Sequence, residues 1–555
     1  MKRKRKDRSQ SSSLYFDAQD LKEILQYRER LVDAPKWPEL SFEGVSTDTR
    51  TLKPGNMYIA LRGDRFDGHD FILQAIEAGA SIVAVEERYY KQHEAELKVL
   101  NHPILCCRNG INFLERMARA RRRRMNAQVI AVTGSVGKTS TRALIAAALS
   151  NFKKVYQAQQ NMNNPIGVSQ TILAAPEDTE ILVLEMGMDH LGEIAESSLT
   201  AEPNCIIITN VGYSHIEKLH TRENILRAKL EIFDGMQPNA LVVFPGDDPL
   251  LMDWYERRGL TYFQEKQVSA FYVTHECQDP ENGAEAFLAQ LHEKNMDVYK
   301  ERMRHMHLGF SIDEKEGDRM QFSVYRPQVK ELTWMDGGSL YQFTYELKVG
   351  GKHQVFNAAL AVAVAFYYRT PEDEIRKGLL SYEPVGDRGR LEQVDGMTLF
   401  HDYYNASPES MKAAFINAAE LCPDEHRRFA ILGGINELGT YAPKLHEAVG
   451  RDLWRYYRCA PEHLFLVGPH AFYVAQGYCL EAKNEGLNVK TPLIAEDVQD
   501  LYLSLGEAMD HEAFYLIKGS RGFKLERIAS FLKGKQELHH SRKTDDAKTR
   551  AQAEA

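Results

Sequence analysis

Along the chain, apolar positions gather into short uninterrupted runs separated by stretches with helical spacing. The runs include Met57–Leu61, Ile82–Val85, Val129–Val132, Ile181–Leu184, Cys205–Ile208 and Leu241–Phe244. Later ones are Thr398–His401, Phe429–Leu432, Leu464–Val467 and Phe514–Ile517. Continuous apolarity over four or five residues suits strands covered on both faces, as in parallel sheets. Most runs lead through a glycine-containing turn into a helical pattern, such as Thr139–Leu149 or Pro408–Leu421. The alternation predicts an α/β protein with mainly parallel sheets.

Two seams divide the pattern. One is the Arg-rich segment 118–126, the other the turn-rich stretch Pro384–Arg388 that follows a helix expected at Asn357–Tyr368. They predict domains at 15–126, 127–386 and 387–533. Residues 264–350 read differently, with acidic and Gly-rich turns (QDPENG, DEKEGD, MDGG) between short alternating strands and a helix-like AEAFLAQLHEK. An insertion or antiparallel extension of the middle domain is expected there. The charged, serine-rich residues 1–14 and the polar tail from Gly534 are expected to be disordered.

Composition narrows the class. A chain of 555 residues with 43% hydrophobic and 26% charged positions can bury several cores. The net charge of −9 argues against a general nucleic-acid binder. Basic runs occur at Lys2–Lys6 and Arg121–Arg124. They could touch nucleic acid or phosphate, but solvated tails and helix faces are commoner. The seven cysteines form no C-x-x-C pair, which fits a reduced, cytoplasmic compartment. The basic N-terminus leads into Ser11–Ser13 and not into an apolar stretch, so no signal peptide is expected. No apolar run reaches the roughly 18–20 residues needed to span a bilayer. A monomer is expected.

The clearest chemical signal follows Val129–Val132. There Thr133-Gly134-Ser135-Val136-Gly137-Lys138-Thr139-Ser140 joins a buried strand to a helix start. In that context backbone N–H groups and the helix N-terminus cradle phosphates. The lysine reaches the outer phosphates and the hydroxyl ligates Mg²⁺. The strict Walker pattern would place glycine at 132, where this chain has valine. An ATP site is expected at Gly134, Ser135, Val136, Gly137, Lys138, Thr139 and Ser140.

The form T-G-S-V-G-K-T-S resembles the phosphate loop of Mur ligases, and other segments follow in that family's order over nearly the whole chain. They are Ser46–Arg50, Ala60–Phe71 (A-L-R-G-D-R-F-D-G-H-D-F), Asn161–Gly167 (N-M-N-N-P-I-G) and Leu184–Met188. Then come Thr209–His215 (T-N-V-G-Y-S-H), Ala228–Phe233, Gly351–Leu360, Gly389–Glu392, His401–Pro408 and Lys518–Gly522. A D-N-P-R signature is absent. The R-F-D-G-H-D-F and Y-N-A-S-P pieces resemble the type that joins D-alanyl-D-alanine to UDP-N-acetylmuramoyl-tripeptide. The resemblance implies a UDP-substrate domain, a central P-loop ATPase domain and a C-terminal Rossmann-like domain. It also implies an acyl-phosphate mechanism in peptidoglycan precursor synthesis.

The resemblance distributes roles over the residues. Lys138 would hold the β- and γ-phosphates. Thr139, Glu185 and His215 would bind Mg²⁺, the last two also standing where strand ends converge on a ligand crevice. For Glu185 and His215 the alternatives are a capped strand end and a satisfied core histidine. Lys229 matches a lysine that CO₂ carboxylates, a solvated side chain being the alternative. Asn357 and Arg390 match contacts to adenine and phosphates, against a helix cap and a surface ion pair. Asp402 matches a residue near the ribose. Tyr404, Asn405, Lys518, Ser520 and Arg521 would face the substrate cleft. Asp48, Arg50, Arg65 and His69 would serve the UDP-muramoyl end, or form an ordinary turn with an ion pair. Asn163 and Asn164 would read the peptide or cap a helix.

Three departures from the family pattern stand out: Gly434 in place of aspartate, His401-Asp402-Tyr403-Tyr404-Asn405 for D-D-S-Y-N, and His353-Gln354 for H-N. They put the acceptor amine, and with it the donor peptide, in question. Related readings are a Mur-type amide ligase with another acceptor and a non-catalytic nucleotide-binding scaffold.

Overall fold

In the computed structural model the described residues are 15–537, except 64–65, 160, 275–307, 315–318, 327–328, 331–332 and 335–338. Arg65 and the helix-like segment 284–294 lie outside them.

Three large sheets and two two-stranded ones carry the described residues. The first has five strands in the order Arg30–Leu31, Ile104–Cys107, Ile82–Glu86, Met57–Ile59, Val45–Ser46, all parallel except the short first one. The central sheet has nine. From one edge they run Ser339–Glu346, Arg319–Arg326, Leu308–Glu314, Ser269–Thr274, Leu241–Pro245, Cys205–Ile208, Gln128–Thr133, Ile181–Glu185 and Val155–Gln157. The third orders Arg390–Val394, Met397–Asp402, Phe514–Lys518, Arg428–Gly433, Leu464–Val467 and Leu493–Ala495.

The apolar runs are apolar because both faces of the central sheet are covered. Ile130, Val132, Val183 and Ile207 pack with helices Lys138–Ser150 and Lys352–Tyr367 on one side. Val129, Ala131, Leu184 and Ile206 join the core on the other, with helices Gly110–Arg124 and Pro165–Ala174. The period of two along each strand sends successive side chains to opposite cores.

Several expectations need correction. The segment 118–126 is mostly the end of helix Gly110–Arg124, and its basic run is only in part a solvated face, since Arg123 and Arg124 are exposed but the two before them are not. Arg121 and Arg122 are buried; Arg121 donates to Ala175 O at 2.8 Å, and Arg122 to Ala201 O and Asn204 Oδ1, both at 2.8 Å. They satisfy carbonyls that helix C-termini leave open. Within 264–350, strands 269–274 and 308–314 continue the central sheet in parallel, and antiparallel pairing begins only at 319–326. The helix expected from Asn357 starts at Lys352. The chain stays helical over 526–537, beyond Gly534. Buried Gln536 holds that end by donating to Asp395 O at 2.8 Å.

Among the described residues no helix is long and apolar enough to cross a membrane. The six described cysteines are free, five of them buried.

Candidate active site

Parallel strands deliver their C-terminal ends to one edge, and the site lies there. Glu185 pairs in register with Val132, and Ile208 with Thr133, so the carboxylate ends its strand beside the phosphate loop. Gly134 and Gly137 have φ of +149° and +84°. A Cβ on Gly134 would collide with the Thr209 side chain, and one on Gly137 would fall 2.8 Å from Asn357 Oδ1. The loop is braced from behind. Asn210 Oδ1 accepts from Val136 N at 2.9 Å, and Ser135 Oγ accepts from Gly212 N at 2.8 Å. Ser140 is buried one position beyond Thr139.

Lys138 Nζ donates to Gly134 O at 2.7 Å and Ser135 O at 3.2 Å. Burial lowers its pKa, partly offset by the nearby Glu185. Thr139 Oγ1 donates to Glu185 Oε2 at 2.9 Å, and Asn163 Nδ2 to Glu185 Oε1 at 3.2 Å. Arg142, one helical turn after Lys138, stands 3.7 Å from the same carboxylate. It is 3% exposed, and its Nε and Nη1 make no hydrogen bond. Spacing i, i+4 from the loop lysine was the available signal for this arginine. Lys229, on helix Arg222–Leu230, is buried, and its pKa falls well below the ordinary lysine value through burial and then the charge of Lys138. A solvated side chain is thereby excluded.

A cleft of about 870 Å³ opens here between the central and C-terminal sheets. It brings together the phosphate loop, Asn163, Asn164, Glu185, His215, Asn357, Asp402, Tyr404, Asn405 and Lys518. Asn357 lies inside its helix and against Gly137, so it is not a helix cap. Asn164 does cap a helix, accepting from Gly167 N at 2.8 Å. Asp402 and Lys518, paired across adjacent strands, form a 2.7 Å ion pair at the cleft wall. Half-buried His353 lines the cleft beside them.

Other expected residues stand elsewhere. Arg390 does not line the cleft; it pairs with Asp387 and Glu392, each at 3.2 Å, as a half-exposed surface ion pair. Arg388 lines the cleft instead, its guanidinium 4.2 Å from the Tyr404 ring centroid. Arg521 approaches the same ring at 5.4 Å. Ser520 is buried and accepts from Asn436 N at 3.0 Å, a structural bond outside the cleft. In the first sheet's domain, Asp48 and Arg50 form a 2.6 Å ion pair, and the hydrogen bond from Arg50 lowers the Asp48 pKa. His69 is buried with both nitrogens satisfied, by Asp67 Oδ1 at 2.5 Å and Glu86 N at 3.1 Å. None of these three lines the cleft.

Two of the sequence departures also resolve. His401 is fully buried away from the cleft, against Glu392 Oε2 at 2.9 Å and Tyr403 OH at 3.1 Å. Gly434 faces the Phe523 ring, 2.9 Å from where its Cβ would sit. Two acidic residues reach across the domains to partners that no local pattern names. Glu409 Oε1 accepts from Tyr213 N at 2.9 Å, and Glu437 Oε2 lies 2.6 Å from His215 Nδ1.

The donor set beside the phosphate loop is a hydroxyl, a carboxylate and an imidazole. Oxygen-rich donors of this kind suit Mg²⁺, and the Thr139–Glu185 contact already places two of them together.

Fold and cleft define an α/β phosphate-loop protein whose ligand site is closed by a Rossmann-like sheet. Comparison with known proteins narrows this. The family model "Mur ligase middle domain" matches residues 132–365, and "Mur ligase family, catalytic domain" matches residues 41–122. A UDP-N-acetylmuramoyl-tripeptide–D-alanyl-D-alanine ligase of Bacillus subtilis is 31% identical over 502 residues, covering 90% of this chain and 94% of that one. MurF from Acinetobacter baumannii shares the fold with a TM-score of 0.72 at 24% identity, covering 94% of this chain and 99% of that one. MurF ligase from Thermotoga maritima in complex with ADP does so with a TM-score of 0.67 at 23% identity, covering 89% and 98%. The chain belongs to the Mur ligase family.

Proposed function

We propose that the protein is an ATP-dependent ligase that joins D-alanyl-D-alanine to UDP-N-acetylmuramoyl-tripeptide, making a peptidoglycan precursor in the cytoplasm. The observation that carries this reading is the 2.9 Å contact of Thr139 with buried Glu185 beside Lys138, in a chain that spans 94% of a relative bearing that activity's name. A carboxylate resists amine attack because oxide is a poor leaving group. Transfer of the γ-phosphoryl group of ATP to the carboxylate releases ADP and gives an acyl phosphate. The amine nitrogen then attacks the acyl carbon, phosphate departs, and the nitrogen sheds a proton.

The protein's share is positioning and charge neutralisation. Lys138 would leave its loop carbonyls for the phosphates. Arg388 and Lys518 bring further positive charge to the cleft. Asn357, against the loop, would meet the adenine end of the nucleotide, and Asp402 its ribose. Mg²⁺, when bound, neutralises phosphate charge, and Thr139, Glu185 and His215 are the residues that would hold it. The neutral amine that burial favours at Lys229 is the form that CO₂ can carboxylate, turning a buried base into an anion. The first domain, with Asp48, Arg50, Arg65 and His69, would receive the UDP end. Asn163 and Asn164, which line the same cleft, would meet the peptide.

The test is phosphate release with ATP, Mg²⁺ and the UDP-tripeptide, with and without D-alanyl-D-alanine. Turnover that requires the dipeptide and disappears in Lys138→Ala supports the reading. Turnover only with another amine moves the specificity, and silence with every amine overturns the ligase.

A further inference from the structure

The loop after strand Arg428–Gly433 does not stay within its own domain. Glu217 N donates to Glu437 O at 3.1 Å, and Tyr441 OH donates to His220 O at 2.9 Å. Between these two bonds, Glu437 Oε2 meets His215 Nδ1 at 2.6 Å. Asp189 Oδ1 is 3.6 Å from the same nitrogen, beyond hydrogen-bond range, and Asp189 is engaged by Lys218 Nζ at 2.9 Å. Glu437 is therefore the carboxylate nearest the ring, in ion-pair contact with an Nδ1 that is buried and otherwise makes no hydrogen bond. His215 Nε2 has no partner among the described residues, and His215 lines the cleft.

The backbone on both sides of this contact is held in the left-handed region, with φ +64° at His215, +63° at Glu437 and +68° at His220. Side-chain-bearing residues adopt it at a cost of about 1 kcal/mol or more each and keep it only where surrounding contacts impose it. Here contacts from the opposite domain join local ones, in which Lys218 N and Leu219 N donate to His215 O at 3.2 and 3.1 Å and His220 N donates to Ile216 O at 2.7 Å.

We infer that Glu437 is a positioning residue that orients His215 only when the C-terminal domain is docked. A carboxylate on Nδ1 keeps the proton there, fixes the ring plane and leaves the Nε2 lone pair directed to the cleft. Undocked, the imidazole loses that partner and can change rotamer and tautomer. Docking of one domain thus completes a ligand in the other. This rests on the reading that His215 holds a divalent cation.

The experiment uses the full chain with a non-hydrolysable ATP analogue and Mn²⁺ as the probe, followed by electron paramagnetic resonance, with no peptide substrate present. Glu437→Ala is expected to weaken Mn²⁺ binding about 10–100-fold, with partial recovery in Glu437→Asp. The Nδ1–H signal of ¹⁵N-labelled His215 should be present in the wild type and lost in Glu437→Ala. Tyr441→Phe, which removes a docking bond and leaves Glu437 in place, should change Mn²⁺ affinity less than about threefold. Wild-type affinity in Glu437→Ala overturns the inference, as does equal weakening in Tyr441→Phe. If His215→Ala itself leaves Mn²⁺ binding unchanged, the underlying metal reading fails, and that result is distinct from either.

Discussion

The ring of Phe523 lies against Gly434, so that a Cβ on this glycine would stand 2.9 Å from Phe523 Cζ and 3.4 Å from His446 Nε2. Gly433 and Gly468 face the same ring, and a Cβ on either would crowd it. Three glycines thus form the socket of one aromatic side chain, and the aspartate of the family pattern would have to displace the half-buried Phe523 ring. Gly434→Asp should destabilise the protein by about 1–3 kcal/mol through overpacking. Phe523→Ala in the same chain should restore part of that by opening the socket. Thermal unfolding checks both, and an unchanged midpoint in Gly434→Asp would refute the socket.

Arg388 and Arg390 sit two residues apart with different surroundings. Arg388 has a buried Nε without a hydrogen-bond partner and lines the cleft. Arg390 is already paired with two carboxylates near the surface. Arg388→Ala should raise KM for ATP about tenfold or more, since charge-assisted bonds to phosphate contribute about 1.5–3 kcal/mol. Arg390→Ala should leave that KM within about twofold and cost less than about 1 kcal/mol of stability. The reverse order of effects would return the nucleotide role to Arg390.

Stability should fall as acid is added well before the carboxylates titrate. Burial pushes His401 and His446 each down to about 4, against about 6.5 unfolded. Between these values the unfolded chain binds more protons, so stability rises with pH through the window and is lost as pH falls from about 6.5 to 4. His401→Gln should flatten the slope of unfolding free energy in that window by about one proton's worth, roughly 1.4 kcal/mol per pH unit. Denaturant titrations at pH 5 and 7 measure it, and an unaltered slope would show that His401 does not titrate this way.

Arg122 is a structural cation. Its guanidinium satisfies Ala201 O, Glu202 O and Asn204 Oδ1 at 2.8–3.2 Å. Arg122→Met should cost about 3 kcal/mol because buried acceptors lose charged donors, while the KM values stay unchanged. A loss below about 0.5 kcal/mol would restore the solvated-face reading of this arginine run.

Local pattern was sufficient wherever a feature is made by neighbours in sequence. The strands were legible because burial on both faces forces uninterrupted apolarity. The phosphate loop was legible because strand, two left-handed glycines and helix start occupy one continuous segment. Glu185 and Lys229 could be named, but their partners could not. Arg142 was within reach through helical spacing. Glu409, Glu437 and the contact of Phe523 with Gly434 join residues between about 89 and 222 positions apart, and nothing in either local segment announces the other.

The sequence by itself therefore determined the α/β class, the order of strands along the chain and the nucleotide loop. These follow from short-range periodicity and from backbone conformations that only glycine adopts readily. Tertiary structure decided which cations face the cleft, why His401 and Gly434 are tolerated, and that the His215 ring meets a carboxylate of another domain. Those outcomes depend on packing and charge partners brought together by sheet topology, which the order of residues along the chain does not display.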